Sequence, residues 1–138
     1  MTYLSVTGDK FEVPGTLGEQ WAFDPRASYK DAPTVIRELI AIVAKGGNYL
    51  MNIGLDPTGV WAPAALATLA GMTRWFEYAG EAIHGSAPQW PYAFQEGGGG
   101  PLLYFTQAAG GSAAAPARAI AQTTGTGGAH QNQYKIIE

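Results

Sequence analysis

Few side chains in this sequence combine a reactive or hydrogen-bonding group with a setting suited to catalysis or ligand binding. Glu12 is the best candidate for a functional carboxylate, because it ends a weak strand candidate, residues 11–13, and precedes a loop that contains Trp21. On these residues alone, the simpler interpretation of Glu12 is an exposed loop glutamate. Asn52 lies near the end of an apolar segment, residues 49–53, where its amide could bind a ligand or satisfy loop backbone.

The other titratable groups have structural explanations or lack suitable neighbours. Asp31 has the position of a helix N-cap, and Asp56 has that of the first residue of a type I turn. His84 and His130 have no partner at metal-ligand spacing, and the sequence contains no cysteine. The sequence therefore predicts no metal site and no cofactor.

The elements that must position these groups follow from the apolar pattern. Residues 49–53 are mostly apolar and flanked by glycine, which is typical of a parallel strand buried on both faces. An amphipathic helix is predicted before this strand, over residues 33–44, and a second helix after it, over residues 63–79. Helix, parallel strand and helix together predict an α/β fold, in which functional groups lie at the carboxyl end of the strand, here near Asn52.

Outside this unit the expected elements are short. Residues 3–6 and 11–13 are weak strand candidates, and residues 102–105 read as one strand. Residues 88–100 resemble a linker because they are rich in proline and glycine. Residues 108–129 are poor in apolar residues and are predicted to lack regular structure.

Composition excludes several classes of partner. The chain of 138 residues is 46% hydrophobic and carries a net charge of −3 without a basic run, so neither nucleic acid nor an anionic membrane is an expected partner. No apolar stretch is long enough to span a bilayer, and the amino terminus lacks the plan of a signal peptide. Only 14% of the residues are charged, against about a quarter in most soluble domains. This low value predicts either a surface that meets other protein or an incomplete chain.

Three ordered blocks resemble a known family. Phe-Glu at residues 11–12 precedes Trp-Ala-Phe at 21–23, the sequence KGGNYLMNIG occupies residues 45–54, and GEAIHG occupies residues 80–85. In order and spacing, these blocks resemble the carboxyl-terminal part of the catalytic barrel of α-L-fucosidases of the glycoside hydrolase 29 type. The family usually has Trp at Phe11, Gly at Ala22 and Tyr at Phe23. These departures remove hydrogen bonds that the family's side chains could make.

The resemblance implies the last β/α units of a TIM-like (β/α)8 barrel, followed by the start of a β-sandwich or by a disordered tail. The implied domains are the barrel part over residues 1–87, a linker with one sandwich strand over 88–107, and a low-complexity tail over 108–138. The implied partner is a fucosylated glycan. Family members are often secreted, periplasmic or lysosomal, and the sequence itself assigns no compartment.

The resemblance also gives the candidate residues their roles. Glu12, Trp21 and Asn52 become candidate substrate-binding residues, with Trp21 stacked on a fucose ring or, alternatively, covering the end of the core. The family's nucleophile is an aspartate on an earlier barrel strand that has no matching stretch here, so no catalytic residue is assigned. The chain alone is therefore expected to be inactive.

Three hypotheses follow from the sequence. The chain is part of a retaining α-L-fucosidase that releases terminal α-L-fucose from glycoconjugates, a non-catalytic carbohydrate-binding module, or a small α/β domain with an unrelated interaction role. In each case an uncovered sheet could lead to self-association.

Overall fold

A computed structural model describes residues 10–95, 102–110, 118–122 and 134–137 of the chain. These residues form two α-helices and six strands: a parallel strand pair with its helices comes first, and an antiparallel sheet follows. In chain order the elements are β1 Phe11–Thr16, α1 Ala32–Val43, β2 Gly47–Asn52, α2 Pro63–Ala79, β3 Ser86–Gln95, β4 Leu102–Ala108, β5 Arg118–Gln122 and β6 Tyr134–Ile137.

The first sheet consists of β1 and β2 in parallel, in a register that pairs Phe11 with Gly47 and Thr16 with Asn52. Helix α1 connects the two strands, and α2 follows β2. The predicted parallel strand between two helices is thus confirmed. β1 is longer than expected, because it continues past Val13 to Thr16.

Local signals account for both ends of α1. The Asp31 carboxylate accepts a hydrogen bond from the Thr34 main-chain N–H at 2.9 Å, and Pro33 stands in the first turn. Beyond the helix, Gly46 adopts a φ of 87°, which a side chain would disfavour. The N-cap expected at Asp31 is therefore confirmed.

The helices pack on one face of the parallel sheet. Tyr49 and Met51 pack against a buried cluster that contains Leu17, Val35 and Ala65. Because side chains alternate along a strand, Leu50 points to the opposite face, where it is 49% exposed. The expectation that this strand is buried on both faces is wrong for the described residues, since both helices cover the same face.

A second core cluster holds the two helices together. It contains Ile36 and Ile40 of α1 and Trp75 and Ala79 of α2, all buried. Gly71 lies where the helices approach closely, because a Cβ on it would stand 2.6 Å from the Cβ of Ala32. Glycine at this position therefore allows the two helices to pack closely.

The second sheet has the antiparallel order β3-β4-β5-β6. It corrects two expectations: residues 88–95 belong to strand β3 and not to a linker, and residues 118–122 form strand β5 within the stretch predicted to lack structure. Antiparallel pairing satisfies the backbone of these segments despite their composition. The strand predicted at 102–105 is confirmed within β4. The candidate at residues 3–6 lies outside the described residues, and the domain boundaries and the β-sandwich remain predictions.

Within the described ranges no helix is long and apolar enough to cross a membrane.

Candidate functional site

The carboxyl ends of β1 and β2 carry two loops, residues 17–31 and 53–62. The first loop leaves β1 at Leu17, whose N–H donates to the carbonyl of Asn52 at 2.9 Å. Leu17 is fully buried, so the loop is anchored where it begins. Loops at this end of parallel strands are the usual place for a site in an α/β fold.

Asn52 and Trp21 meet at this edge. The Asn52 side-chain amide donates to the main-chain carbonyl of Trp21 at 2.7 Å, while the Trp21 side chain is 58% exposed. They line a cavity of about 330 Å³, here called the strand-end pocket, together with Leu50, Met51, Ile53 and Trp61. Two of the three predicted site residues are thus brought together.

The far end of the first loop is fastened by a half-buried polar network. The Lys30 N–H donates to the Leu17 carbonyl at 2.9 Å, and the Thr68 hydroxyl of α2 donates to the Lys30 carbonyl at 2.7 Å. The Lys30 ammonium contacts both carboxylate oxygens of Glu38, at 2.9 and 2.8 Å. The Tyr49 hydroxyl donates to the same carboxylate at 2.5 Å. The base of the Trp21 loop is therefore tied to α1, α2 and β2.

The second loop is held by Asp56. One oxygen of its carboxylate accepts from the Thr58 N–H, the Thr58 hydroxyl and the Val60 N–H, at 2.8, 2.7 and 2.9 Å. These bonds lower the pKa of Asp56 from its usual value of 3.8, and the bond from the Thr58 hydroxyl has the largest effect. The turn fixes the segment that leads to Trp61. The predicted role of Asp56 as a turn residue is confirmed.

The two loops approach each other at Gly54. A Cβ there would stand 2.7 Å from the main-chain nitrogen of Phe23 and 2.9 Å from the carbonyl carbon of Ala22. Since these are backbone atoms, neither can yield easily, and glycine is what allows the loops to pack together.

Glu12 lies elsewhere. It pairs with Asn48, near the amino end of the parallel strands, and its side chain is exposed. Four residues of strand, roughly 13 Å, separate it from Thr16 at the carboxyl end. Glu12 does not line the strand-end pocket. The structure therefore does not bring Glu12 together with Trp21 and Asn52 in the described residues.

Trp61 is a pocket residue that the sequence pattern did not single out. Its side chain is 41% exposed and lines the strand-end pocket opposite the first loop. The signal was available, because Trp61 is an aromatic residue in the loop that follows the central strand. The turn at Asp56 and the helix start at Pro63 account for the residues on either side of it, so the local pattern does not distinguish Trp61 from an ordinary loop residue.

The described residues contain no group of three or more His, Cys, Asp or Glu side chains that could hold a metal ion. What the arrangement does provide is exposed aromatic surface beside amide and backbone hydrogen-bonding groups. Such a combination suits a polar ligand that also has an apolar face.

Known proteins with similar sequences are α-L-fucosidases. Tissue alpha-L-fucosidase of Rattus norvegicus is 40% identical over 58 residues, which are 42% of this chain and 13% of the rat protein. Alpha-L-fucosidase of Dictyostelium discoideum is 30% identical over 82 residues, 57% of this chain and 18% of that protein. The chain thus spans less than a fifth of either relative.

Solved structures of similar fold are also fucosidases. The Thermotoga maritima alpha-fucosidase superposes with a TM-score of 0.77 at 21% identity, over 91% of this chain and 28% of that one. Alpha-L-fucosidase isoenzyme 1 from Paenibacillus thiaminolyticus gives 0.68 at 25% identity, over 86% of this chain and 26% of that one. The family model described as Alpha-L-fucosidase matches residues 4–81, more than half of the sequence. The chain belongs to the alpha-L-fucosidase family.

Proposed function

We propose that this chain is the carboxyl-terminal part of the catalytic barrel of a retaining α-L-fucosidase, which hydrolyses terminal α-L-fucose from glycoconjugates. The observation that carries the proposal is the family match over residues 4–81, which includes both loops at the carboxyl ends of β1 and β2. A Thermotoga maritima relative of similar fold was solved in complex with fucose. Catalytic groups of (β/α)8 enzymes lie at this end of the strands.

The strand-end pocket is the proposed fucose-binding surface of this chain. Its volume, about 330 Å³, lies at the lower end of the range of roughly 300–1,000 Å³ for small-molecule sites. The exposed Trp21 ring offers a face for the apolar side of the sugar or for its methyl group. The Asn52 amide donates one of its hydrogens to the Trp21 carbonyl. Its second amide hydrogen and its side-chain carbonyl oxygen are the groups proposed to form hydrogen bonds with a sugar hydroxyl.

The role proposed for Glu12 in substrate binding rests on the resemblance alone. Glu12 pairs with Asn48 and Thr16 pairs with Asn52. Because side chains alternate between the two faces along each strand, all four residues lie on the same face of the parallel sheet. Glu12 and Asn52 are near opposite ends of that face. A sugar held by Trp21 would reach Glu12 only if other parts of a barrel directed it along the sheet.

We further propose that these 138 residues bind a fucoside without hydrolysing it. A retaining glycosidase needs two carboxyl groups about 5 Å apart. The resemblance assigns the nucleophile to an earlier barrel strand, and a barrel site draws on the ends of several strands, of which this chain supplies two.

The test is a pair of measurements on the purified chain. Binding of methyl α-L-fucoside is followed by ligand-observed NMR, and hydrolysis by release of nitrophenol from an aryl α-L-fucoside. We expect binding that weakens about tenfold in Trp21→Ala, and no turnover. Tyr78→Ala, which removes an equally exposed aromatic side chain from α2, is the control and should bind normally. Turnover above background that is lost in Glu12→Gln would contradict the proposed inactivity and support a role for Glu12.

A non-catalytic carbohydrate-binding module is the second candidate. It is favoured by one observation: this chain alone supplies all the residues of the strand-end pocket, and the Asn52–Trp21 hydrogen bond joins two of them. The two candidate functions predict different results when a polypeptide that contains the remaining β/α units is added to this chain. Hydrolysis that appears only in the mixture supports the fucosidase part, and binding without hydrolysis supports the module.

A further inference from the structure

A larger cavity lies at the opposite, amino end of the parallel strands. It has a volume of about 730 Å³ and is here called the amino-end cavity. Lys10, directly before β1, and residues 45–48 at the start of β2 line one side of it. Residues 83–88, which lead into β3, line the other side. Parts of two sequence blocks that carry the family resemblance therefore meet here, at the end of the strands away from the strand-end pocket.

Contacts between the two sheets hold the walls of this cavity in place. A Cβ on Gly46 would stand 3.2 Å from the Cγ of Pro88, so β3 closely approaches the turn that precedes β2. On the other side, the Ala109 N–H donates to the Gly85 carbonyl at 2.7 Å. The cavity is therefore formed by contacts within this chain, as is usual for small-molecule sites.

The charged groups on the walls have one sign, although the chain as a whole carries a net charge of −3. Lys10 and Lys45 line the cavity, and no aspartate or glutamate stands among the lining residues that the structure describes. His84 lines it too, and its ring is stacked on that of Phe76 with centroids 5.1 Å apart. An imidazole has at least one N–H donor in either protonation state, and an ammonium group has three donors and no acceptor. These groups favour an anionic ligand and disfavour a cationic one.

The carboxyl end of α1 also reaches the cavity, through Val43. Such a helix end carries a partial negative charge of about half a unit, which by itself opposes an anion. Here the Val43 carbonyl already accepts from the Gly46 N–H at 2.8 Å, and the Ile42 carbonyl accepts from the Lys45 N–H at 3.1 Å. Because the ammonium of Lys45 adds a whole positive charge beside this end, the local charge remains positive.

The rest of the lining is largely apolar. Leu39, Val43 and Ile83 are half-buried and contribute to the walls. A purely apolar ligand would remove water from the lysine ammonium groups without replacing its hydrogen bonds, which is costly. An inorganic ion alone would fill a small part of about 730 Å³ and leave the apolar walls in water. The cavity therefore suits a small molecule with both an anionic group and an apolar part.

We propose that the amino-end cavity binds a small organic anion through its carboxylate or phosphate group. Lys10, Lys45 and His84 are the residues assigned to that group, and Leu39 and Ile83 are assigned to the apolar part of the ligand. The site is separate from the proposed fucose-binding surface, because fucose is neutral and the strand-end pocket lies at the other end of the strands. The two proposals can therefore fail independently.

The test is a titration of the full 138-residue chain with four probes, followed by ligand-observed NMR. Phenyl phosphate and benzoate combine an anionic group with an apolar ring, whereas inorganic phosphate lacks the ring and phenol lacks the charge. We expect phenyl phosphate or benzoate to bind about tenfold more tightly than either partial probe. The affinity should fall as salt is added, because salt screens the attraction between opposite charges.

Two pairs of variants locate the site. Lys10→Gln should weaken binding about tenfold, while Arg74→Gln, which removes the same charge from an exposed position outside the cavity, should bind as the parent chain does. Ala109→Phe places a ring in the cavity without a change of charge and should abolish binding. Ala108→Phe alters the neighbouring exposed alanine, which does not line the cavity, and should leave binding intact.

Three results would overturn the proposal. The first is that neither organic anion binds more tightly than phenol and inorganic phosphate. The second is that Lys10→Gln and Arg74→Gln weaken binding equally, because net charge and not the cavity would then be the cause. The third is that Ala109→Phe, folded by circular dichroism, binds as the parent chain does. Binding of methyl α-L-fucoside, measured on the same samples, reports on the proposed function and should be the same in all four variants.

Discussion

The side-chain amide of Asn52 donates a hydrogen bond of 2.7 Å to the main-chain carbonyl of Trp21. The last residue of β2 is thereby joined to the loop that follows β1, 31 positions earlier in the chain. A second bond, from the Leu17 N–H to the Asn52 carbonyl, joins the same two segments through the backbone. Asn52 thus helps to fix the position of the Trp21 main chain.

This relationship predicts a specific effect of Asn52→Asp. The substitution keeps the size of the side chain but replaces the amide donor with an acceptor that faces the Trp21 carbonyl. We expect the Trp21 loop to loosen, with a loss of about 1–3 kcal/mol in the free energy of its local opening. Hydrogen exchange of the main-chain amides around Trp21 measures that opening. Asn48→Asp, at an exposed asparagine of the same strand, is the control; equal exchange in both variants would contradict the prediction.

The network of Lys30, Glu38 and Tyr49 predicts a second result. Tyr49→Phe removes the hydroxyl that donates to the half-buried Glu38 carboxylate. Since hydrogen bonds to charged groups contribute more than neutral ones, we expect the free energy of unfolding to fall by about 1.5 kcal/mol. Urea unfolding measures the change. Tyr78→Phe, which alters an exposed tyrosine, should have almost no effect; a similar loss there would show that the Glu38 contact is not the cause.

Some of this organisation was predictable because it depends on neighbours in sequence. Asp31 caps α1 and Asp56 closes its turn, as the local signals indicated. Strand β5 was not predicted because it is stabilised by pairing with β4 and β6, and the low apolar content of residues 108–129 gives no sign of that pairing.

The position of Glu12 was missed for a related reason. The sequence pattern predicted this strand over residues 11–13, before Pro14 and Gly15, which would have put Glu12 near its carboxyl end. The strand continues through both residues to Thr16. Proline cannot donate a ladder hydrogen bond, but it is tolerated at a sheet edge, and β1 has one partner strand in the described residues. Glu12 consequently lies near the start of the strand, away from the pocket.

Asp31 predicts how stability depends on pH. Hydrogen bonding to Thr34 lowers the pKa of this carboxyl from its ordinary value of 3.8. Because the folded-state pKa is depressed, its contribution to stability is present above pH 3.8 and is lost as the pH falls through the lower, folded-state value. Asp31→Asn keeps an acceptor for the cap but cannot titrate, so we expect its stability to vary less across this acidic window.

Chemical denaturation of both proteins at a series of pH values measures this difference. At neutral pH, Asp31→Ala should lose about 1 kcal/mol, as expected for a removed N-cap, while Asp31→Asn should lose less. Identical acid profiles for the parent chain and Asp31→Asn would contradict the assignment to Asp31.

The uncovered face of the parallel sheet predicts self-association of the 138-residue chain. In the described residues both helices lie on the opposite face of the sheet. On the uncovered face, Leu50 pairs with the exposed Pro14, and its apolar side chain is exposed to water. A sheet face and strand edge of this kind readily bind a second copy. We expect concentration-dependent dimers or larger species in sedimentation experiments, and a shift towards monomer in Leu50→Lys, because a charged side chain opposes burial of the face. Leu55→Lys adds the same charge at a loop leucine of equal exposure and should leave the association unchanged. If the two lysine variants sediment alike, association proceeds through another surface and the sheet face is not its cause.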